Sequence, residues 1–340
     1  MHQFRHRPLA AAVMMAFCAP QAALAQTSAE QQLPQVDVRA TQAPRYRAES
    51  SSTATRTDTP LRDVPQTVTV LPKELLQSQN AFTLQDALRN VTGITFFAGE
   101  GGQMGDGPRL RGFDARGSIF VDGIRDKGEY FRDTFNLEAI EVLKGASSLL
   151  YGRGSPSGVI NQVTKAPGLL SRNEAGLTLG SDAFKRATAD LNVPLGETSA
   201  VRLNAMIQDN ESYRDFVEQR RFGVAPSVGF GIGTATEVTI GYQYLRSRDV
   251  PDYGIPQLFG EPADVSRGNF YGFPSQDYDD LDTHIATLRI SHQVNEGLTL
   301  RNTLMWAKYK RDNEVTAPRL RTGASAPVIG TPLSAISVRR

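Results

Sequence analysis

The sequence is poor in cysteine, in excess charge of either sign and in long apolar runs. Cys18 is the only cysteine among 340 residues, and 37 basic residues stand against 36 acidic ones. A nearly neutral chain lacks the basic excess that marks most nucleic-acid-binding proteins. Nor does it contain an apolar run of 18 residues or more, the length that a membrane-spanning helix requires.

The first 25 residues are predicted to be an export signal. Arg5 and Arg7 form a basic start, Leu9–Ala19 is an apolar run, and an Ala-Leu-Ala tripeptide ends at Ala25. This is the pattern of a secretory signal peptide that is cleaved after Ala25. Because Cys18 lies inside this segment, the exported chain would have no cysteine. Disulfide scaffolds, zinc clusters and cysteine nucleophiles are thereby excluded.

The next segment, residues 26–57, is polar and has little to bury, so we expect it to be flexible. Within it, Leu33–Arg39 alternates apolar and polar residues. That island is either a chance fragment or a strand that docks on the sheet edge of a partner protein.

Residues 58–167 are predicted to form a domain of mixed helices and strands. Gln66–Leu71 alternates like a strand, and Pro72–Gln79 follows as a short helix. Thr83 is the expected N-cap of a second helix, Leu84–Asn90, which Gly93 closes. Further strands are predicted at residues 109–113, 118–121, 139–143 and 159–164, with a hairpin turn at Asp122-Gly123.

From about residue 168 to 340, helical periodicity gives way to alternation of apolar and polar residues. Segments of about ten alternating residues separated by turns are typical of transmembrane β-barrels. Seven strands are predicted, near residues 172–180, 184–193, 199–209, 220–230, 236–247, 283–294 and 298–310.

The connections between these strands favour an outer-membrane barrel over a soluble β-sandwich. The connections at 194–198, 232–235 and 295–297 are short, whereas 248–282 is long and rich in aromatics. Short turns at one end and long loops at the other are the bacterial outer-membrane arrangement. Seven strands cannot close such a barrel, so we expect the sequence to be truncated at its C-terminus.

Enzyme motifs are not completed anywhere in the chain. Gly152–Gly158 lacks the Lys-Ser/Thr of a phosphate-binding loop, and Gly99–Gly105 lacks the third glycine of the dinucleotide fingerprint. His284 and His292 are eight residues apart on one strand, too far apart to share a ligand. Because no motif in the sequence combines a nucleophile, a base and an orienting group, we predict that the protein is not an enzyme.

Two other segments have the composition of binding loops. Ala98–Arg109 is rich in glycine, and Arg125–Asp133 interleaves three cations with Tyr130 and Phe131. Aromatic rings beside cations suit a planar, anionic, aromatic ligand. On local sequence alone, a solvated charged turn is an equally good interpretation of the second segment.

Three ordered motifs closely resemble the plug domain of TonB-dependent outer-membrane receptors. They are Arg111-Gly-Phe113, the run SIFVDGIRD over 118–126, and the run IEVLKGASSLLYGRGSPSGVINQVTKAP over 140–167. Ferric siderophore receptors, and the catecholate type in particular, are the most similar members. The resemblance extends over roughly residues 33–310.

The resemblance implies a fold and an energised import mechanism. The fold class would be an α+β plug domain, residues 58–167, followed by the first strands of a transmembrane antiparallel β-barrel, residues 168–340. The family's barrel has 22 strands and is occluded by the plug. Residues 26–57 would carry the TonB box, with Val36, Asp37 and Val38 as its core, and TonB and its inner-membrane energising complex would be partners.

The resemblance also implies a ligand site at the plug apices. The negative charge of a ferric siderophore would be met by Arg109, Arg125, Lys127 and Arg132. Its aromatic rings would stack on Phe97, Tyr130 and Phe131, and Gln103 and Met104 would lie in the same apical region. Arg111 and Arg153 are expected to make charged plug–barrel contacts, unless they form salt bridges inside the plug. Because the siderophore ligates the iron, no cofactor and no protein metal site is expected.

Other functions are weighed against this one. The cargo could instead be cobalamin or an oligosaccharide, because loops set cargo specificity. The chain could also be a non-transporting fragment whose plug binds ligand or TonB. An exported hydrolase is the weakest alternative because no catalytic triad is present.

Overall fold

The computed structural model describes residues 46–97, 105–152, 157–258, 261–317 and 335–339. The candidate TonB box at Val36–Val38 lies outside the described residues, as do Gln103, Met104 and Arg153. Among the described residues, no α-helix is long and apolar enough to cross a membrane.

The first half of the described chain is a small α+β domain. Its principal sheet has the strand order β3-β9-β10-β7-β8, in which β10 and β7 are parallel and the other pairs antiparallel. A second sheet has the order β4-β5-β6. In chain order the elements are β1 (Ser50–Ser51), β2 (Thr59–Pro60), β3 (Thr67–Pro72), α1 (Lys73–Ser78), α2 (Leu84–Leu88), β4 (Ile94–Phe96), β5 (Pro108–Leu110), β6 (Phe113–Asp114), β7 (Ile119–Val121), β8 (Ile124–Arg125), β9 (Leu137–Lys144), α3 (Ser148–Tyr151) and β10 (Gly158–Thr164).

Local sequence signals explain how these elements begin and pack. Thr83 starts α2 with a capping box: its hydroxyl accepts the Asp86 amide, and the Asp86 carboxylate accepts the Thr83 amide. This exchange satisfies two amides that the helix leaves unpaired. The core beneath α2 is aliphatic and includes Leu84, Leu88 and Ile140.

Two tight turns shape this domain. Asp122 and Gly123 both have positive φ, 48° and 80°, in the turn between β7 and β8, the conformation that hairpins favour. Arg111 and Gly112, at 52° and 84°, form a second such turn between β5 and β6. The single strand predicted over 109–113 was therefore wrong, because this turn splits it into two short antiparallel strands.

The second half is one antiparallel sheet of eight strands, in the order β11-β12-β13-β14-β15-β18-β19-β20. The connection 250–277 between β15 and β18 is long and carries its own small hairpin, β16 with β17. The elements are β11 (Arg172–Leu179), β12 (Lys185–Pro194), β13 (Ala200–Glu211), β14 (Glu218–Phe230), β15 (Thr236–Asp249), β16 (Gln257–Leu258), β17 (Glu261–Pro262), β18 (Tyr278–Asn295), β19 (Leu298–Thr316) and β20 (Ala335–Arg339). All seven predicted strands are present, and β20 is an additional one.

The strands of this sheet are largely polar on the face toward the plug and largely apolar on the outer face. The inner face also carries an apolar group, including Met206 and Leu245, which packs against Phe135 of the plug. On β13, Arg202, Asn204 and Gln208 are buried against the plug, whereas Leu203 and Ile207 are exposed. Side chains along a strand alternate between the two faces, so the sequence alternation assigns one face to each class. This is the reverse of a soluble sheet and is typical of a barrel with a polar interior.

Candidate functional site

The loop Asp126–Arg132 lies beside the barrel wall where the long connection 250–277 leaves the sheet. It was predicted to offer cations and aromatic rings to a ligand. The side chain of Arg132, the last residue of this loop, is instead buried and only 2% exposed. The Arg132 Nε donates to Asp126 Oδ2 at 2.9 Å, and its Nη1 lies 3.3 Å from Asp106 Oδ2. Its Nη2 donates to the Gly128 carbonyl at 2.8 Å.

Asp126 is the acceptor at the centre of this network. Its Oδ2 also accepts the Tyr130 hydroxyl at 2.9 Å, and its Oδ1 accepts the Gly128 amide at 3.1 Å. A fourth donor comes from the barrel: the Tyr309 hydroxyl of β19 lies 2.6 Å from Asp126 Oδ1. The ring of Tyr130 packs under the Arg132 guanidinium, 4.3 Å from its centroid.

These contacts correct the predicted roles of Arg132 and Tyr130. Both side chains are buried, the guanidinium is already matched by two carboxylates, and one face of the tyrosine ring is covered by that guanidinium. A charge that is neutralised inside the plug is not available to an arriving anion. In this structure the two side chains belong to the buried network of the apical loop and are not exposed to solvent.

The two carboxylates around Arg132 differ in pKa because their hydrogen bonding differs. Burial raises the pKa of Asp106 to about 6, against the opposing effect of Arg132. Its Oδ1 is buried and has no hydrogen-bond partner among the described residues. Burial acts in the same direction on Asp126, but Arg132 and the hydrogen bonds from Tyr309 and Gly128 outweigh it and lower its pKa. Donors that favour the charged form account for the difference.

An exposed cluster of cations and an aromatic ring lies on the three-stranded sheet. The guanidinium of Arg109 is 4.1 Å from the centroid of the Phe97 ring, and that of Arg116 is 4.8 Å from the same ring. Phe97 is half-buried and Arg109 is exposed. Arg109 lies opposite Asp114 in the β5–β6 pair, and its charge helps to lower the pKa of that carboxyl. Arg116 is held in place by Asp114, whose Oδ2 lies 2.7 Å from its Nη2.

The Phe97–Arg109–Arg116 cluster contains two residues that the sequence predicted and one that it did not. Hairpin β5-β6 brings Arg116 back toward Phe97, and the sequence signal for this was the turn at Arg111-Gly112. Two cations against one ring offer both charge and a flat surface to an aromatic anion.

The remaining predicted ligand residues are scattered. Lys127 is exposed, and Phe131 is half-buried with the guanidinium of Arg221 5.9 Å from its centroid. Arg125 is half-buried and donates to the Tyr151 carbonyl at 3.2 Å. The structure thus brings together only part of the predicted site, and Arg125 is held by the body of the plug.

Plug and barrel make several polar contacts among the described residues, and of the two residues predicted for this role only Arg111 is described, because Arg153 lies outside the described ranges. Arg111 is exposed, and no ion pair joins it to a barrel strand within the described ranges. Inward-facing barrel side chains supply most of the partners. The ion pairs are Asp133 with Arg186, Lys165 with Asp190, Lys73 with Glu174, Asp122 with Arg289, and Glu138 with Arg202. In addition, the Asn136 amide donates to the Gln243 side-chain oxygen.

No group of three or more histidine, cysteine or acidic side chains that could hold a metal ion occurs in the part of the chain that the structure describes.

Comparison with known proteins identifies the plug. Residues 60–159 match the TonB-dependent receptor plug domain family. The chain is 42% identical over 276 residues to the catecholate siderophore receptor Fiu of Escherichia coli, which covers 76% of this chain and 36% of that protein. It is 37% identical over 297 residues to the probable TonB-dependent siderophore receptor PiuA of Acinetobacter baumannii, covering 84% and 40%. The chain thus spans well under half the length of these relatives.

Solved structures agree with the sequence comparison. The closed form of the ferric-catecholate import receptor Fiu superposes with a TM-score of 0.77 at 39% identity, over 84% of this chain and 42% of that one. The siderophore receptor PiuA gives a TM-score of 0.77 at 36% identity, over 80% and 40%. The predicted fold class, an α+β plug followed by strands of an antiparallel barrel, is confirmed.

Proposed function

We propose that this chain, which carries the plug domain of TonB-dependent receptors, serves in an outer-membrane receptor that imports ferric siderophores. The observation that carries the proposal is the partly exposed Phe97–Arg109–Arg116 cluster. Its guanidinium groups, supported by the Phe97 ring, offer the charge and the flat faces that an anionic aromatic iron chelate would use. The names of Fiu and PiuA point to the same class of cargo.

Recognition would rest on charge and stacking. Arg109 is exposed and forms no ion pair with a described carboxylate, so it would contribute charge to an arriving anion, part of which the nearby Asp114 carboxylate offsets. Arg116 shares its charge with Asp114 and would act mainly as a flat support for the Phe97 ring. The siderophore supplies all ligands to the iron, and we propose that the protein needs neither a cofactor nor a metal site of its own.

The catecholate class fits this surface best. Catechol rings are planar and anionic when they bind iron, so they can both stack on an arginine or phenylalanine face and attract its charge. Lys127 is exposed at the neighbouring apical loop and would extend the basic surface. Cobalamin and oligosaccharides would contact the aromatic rings of this surface but would gain little from its arginine charges.

The partners and the location follow from the same proposal. The signal peptide, cleaved after Ala25, would deliver the chain to the periplasm, and the apolar outer face of the sheet would insert into the outer membrane. Val36, Asp37 and Val38 would then pair with TonB as an added strand. Such a receptor moves its cargo without chemical conversion, so it is not an enzyme.

Binding to the iron complex of dihydroxybenzoate tests the proposal. The receptor that carries this sequence is purified as wild type and with Arg109→Ala plus Arg116→Ala. We expect the double variant to bind at least tenfold more weakly, which corresponds to about 1.4 kcal/mol. Arg62→Ala, at an exposed arginine in a surface ion pair, is the matched control and should bind normally. Equal binding by all three proteins, or tighter binding of cobalamin or an oligosaccharide, would contradict the proposal.

A further inference from the structure

Barrel strand β19 holds the apical loop Asp126–Arg132 at two successive inward-facing positions. At the first, the Tyr309 hydroxyl donates to Asp126 Oδ1 at 2.6 Å. At the second, Arg311 Nη1 lies 3.5 Å from the Glu129 carbonyl. Arg311 is itself fixed by a two-point ion pair with Asp279 of β18, at 2.7 and 2.8 Å. The loop is therefore attached to the barrel wall by side chains whose own positions are set.

The ring of Tyr309 adds a steric contact to this hydrogen bond. A Cβ placed on Gly128 would lie 2.5 Å from Tyr309 Cε1 and 2.6 Å from its Cδ1, closer than real Cβ atoms approach other carbons. A side chain at this position would therefore force the loop or the neighbouring tyrosine rings to shift. The Tyr309 ring also lies 5.8 Å from that of Tyr130, centroid to centroid. Ring and hydroxyl together define where the loop sits.

The held loop is connected to the exposed cluster by a short chain of contacts. Arg132, which shares Asp126 with Tyr309, donates from its backbone amide to Asp106 Oδ2 at 2.9 Å. The Asp106 amide in turn donates to the Tyr130 carbonyl at 3.0 Å. One residue later, the Gly107 carbonyl accepts the amide of Phe97 at 2.9 Å. Tyr309 thus acts at one end of a network whose other end is the ring of the candidate ligand site.

We propose that Tyr309 is a positioning residue for ligand capture. It acts through Asp126 and Arg132 to hold the apical loops, and with them Phe97, in the geometry that receives the ligand. This inference rests on the proposed function, because it assigns Tyr309 a role in the affinity of that same site. A hydrogen bond to a charged group is among the stronger single contacts in a protein, and the Tyr309 hydroxyl is the donor that barrel strand β19 supplies to Asp126.

Tyr309→Phe removes the hydroxyl and keeps the ring. Tyr242→Phe is the matched control, since it also removes one hydroxyl hydrogen bond, to His284, but on the outer face of β15. For Tyr309→Phe we expect the dissociation constant for ferric dihydroxybenzoate to rise about tenfold, the effect of losing one bond to a charged group. In iron uptake, KM should rise while the maximal rate stays near that of the wild type. Tyr242→Phe should change neither.

Amide exchange provides a readout that needs no ligand. The amides of Gly128 and Arg132 donate to Asp126 and Asp106, and we expect both to exchange with solvent faster in Tyr309→Phe. If wild type binds the complex and Tyr309→Phe binds it equally well, the positioning role is overturned while the proposed function stands. If neither protein binds but exchange is accelerated, the proposed function fails and only the holding of the loop survives. Unchanged exchange would overturn the inference outright.

Discussion

Asp133 of the plug and Arg186 of barrel strand β12 form a two-point ion pair buried from solvent. Arg186 Nη2 lies 2.7 Å from Asp133 Oδ1, and Nη1 lies 2.8 Å from Oδ2. Both side chains are almost inaccessible to water. The Arg186 guanidinium also lies 4.7 Å from the Phe82 ring centroid. The pair shows the role of the polar face of the sheet: inward-facing charged side chains of the barrel form ion pairs with charged side chains of the plug.

Removing the carboxylate of this pair should loosen the plug. Asp133→Asn removes the negative charge opposite Arg186 and leaves its buried guanidinium with neutral acceptors such as the Gln208 side chain. Breaking a buried ion pair from one side costs about 3–5 kcal/mol, and we expect a loss of that order in the free energy of unfolding of the plug, measured by denaturant titration. Arg62→Ala, at an exposed pair with Asp63, should cost less than about 1 kcal/mol. Equal losses in the two variants would contradict the structural role.

The two apical arginines should separate into one structural and one functional residue. Arg132→Met keeps an unbranched side chain but leaves Asp106 and Asp126 without their shared cation, so we expect a markedly lower melting temperature. Arg109→Ala removes an exposed side chain with no described ion pair, so the melting temperature should stay within about 2 °C of the wild type. Ligand affinity should fall in Arg109→Ala even so. The opposite assignment, with a stable Arg132→Met and an unstable Arg109→Ala, would refute this division.

A pair of glycine substitutions tests the contact between the two apical loops. Gly105 and Gly112 both have positive φ, at 92° and 84°, so alanine is strained at either position. A Cβ on Gly105 would also collide with the backbone nitrogen of Tyr130, whereas a Cβ on Gly112 would meet nothing within 4 Å. We expect Gly112→Ala to cost about 1 kcal/mol and Gly105→Ala about 2 kcal/mol more. Equal costs, measured by thermal unfolding, would show that the loops are not packed this closely.

The raised pKa of Asp106 predicts a pH dependence of stability with a definite sign. Its pKa is about 6 in the folded protein, against an ordinary value of 3.8, so the folded state binds the proton more tightly. Its contribution to the free energy of unfolding is therefore fully present below about pH 4 and is lost as the pH rises through about 6. Relative to Asp106→Asn, the wild type should lose on the order of 2–3 kcal/mol between pH 4 and pH 7.

The control for this titration is a carboxylate with the opposite shift. The hydrogen bonds from Arg116 lower the pKa of Asp114, so its contribution is present at neutral pH and lost as the pH falls through its folded value. The difference between wild type and Asp114→Asn should therefore slope in the other direction. A difference between wild type and Asp106→Asn that does not vary with pH would contradict the assignment.

The barrel strands were predictable because one physical rule governs them. A strand with lipid on one face and a polar interior on the other must alternate along its length. On β13, Leu203 and Ala205 flank Asn204, an alternation that can be read from the sequence alone. The plug helix at Leu84 was equally accessible, because its capping box lies within four residues. Strand β20 pairs with the C-terminal end of β19. The composition of β20 gives no comparable signal, so this strand was not predicted.

The site was only partly predictable because pairing depends on residues distant in the chain. The sequence shows that Arg109, Arg125 and Arg132 are cations, but not which are already neutralised. The carboxylate of Asp106 that meets Arg132 is 26 residues away, and Tyr309 comes from the barrel. Only the three-dimensional arrangement separates the arginine that builds the apex from the arginine that faces solvent.

Uptake of radioactive iron tests the central proposal most directly. The receptor carrying this sequence is expressed in cells that lack their own catecholate receptors, and the cells are given ferric dihydroxybenzoate. We expect iron to accumulate, and we expect accumulation to cease when Val36–Val38 is deleted, because the pairing strand for TonB would be lost. Expression at the cell surface without any accumulation above the receptor-free cells would contradict the proposal that this protein imports ferric siderophores.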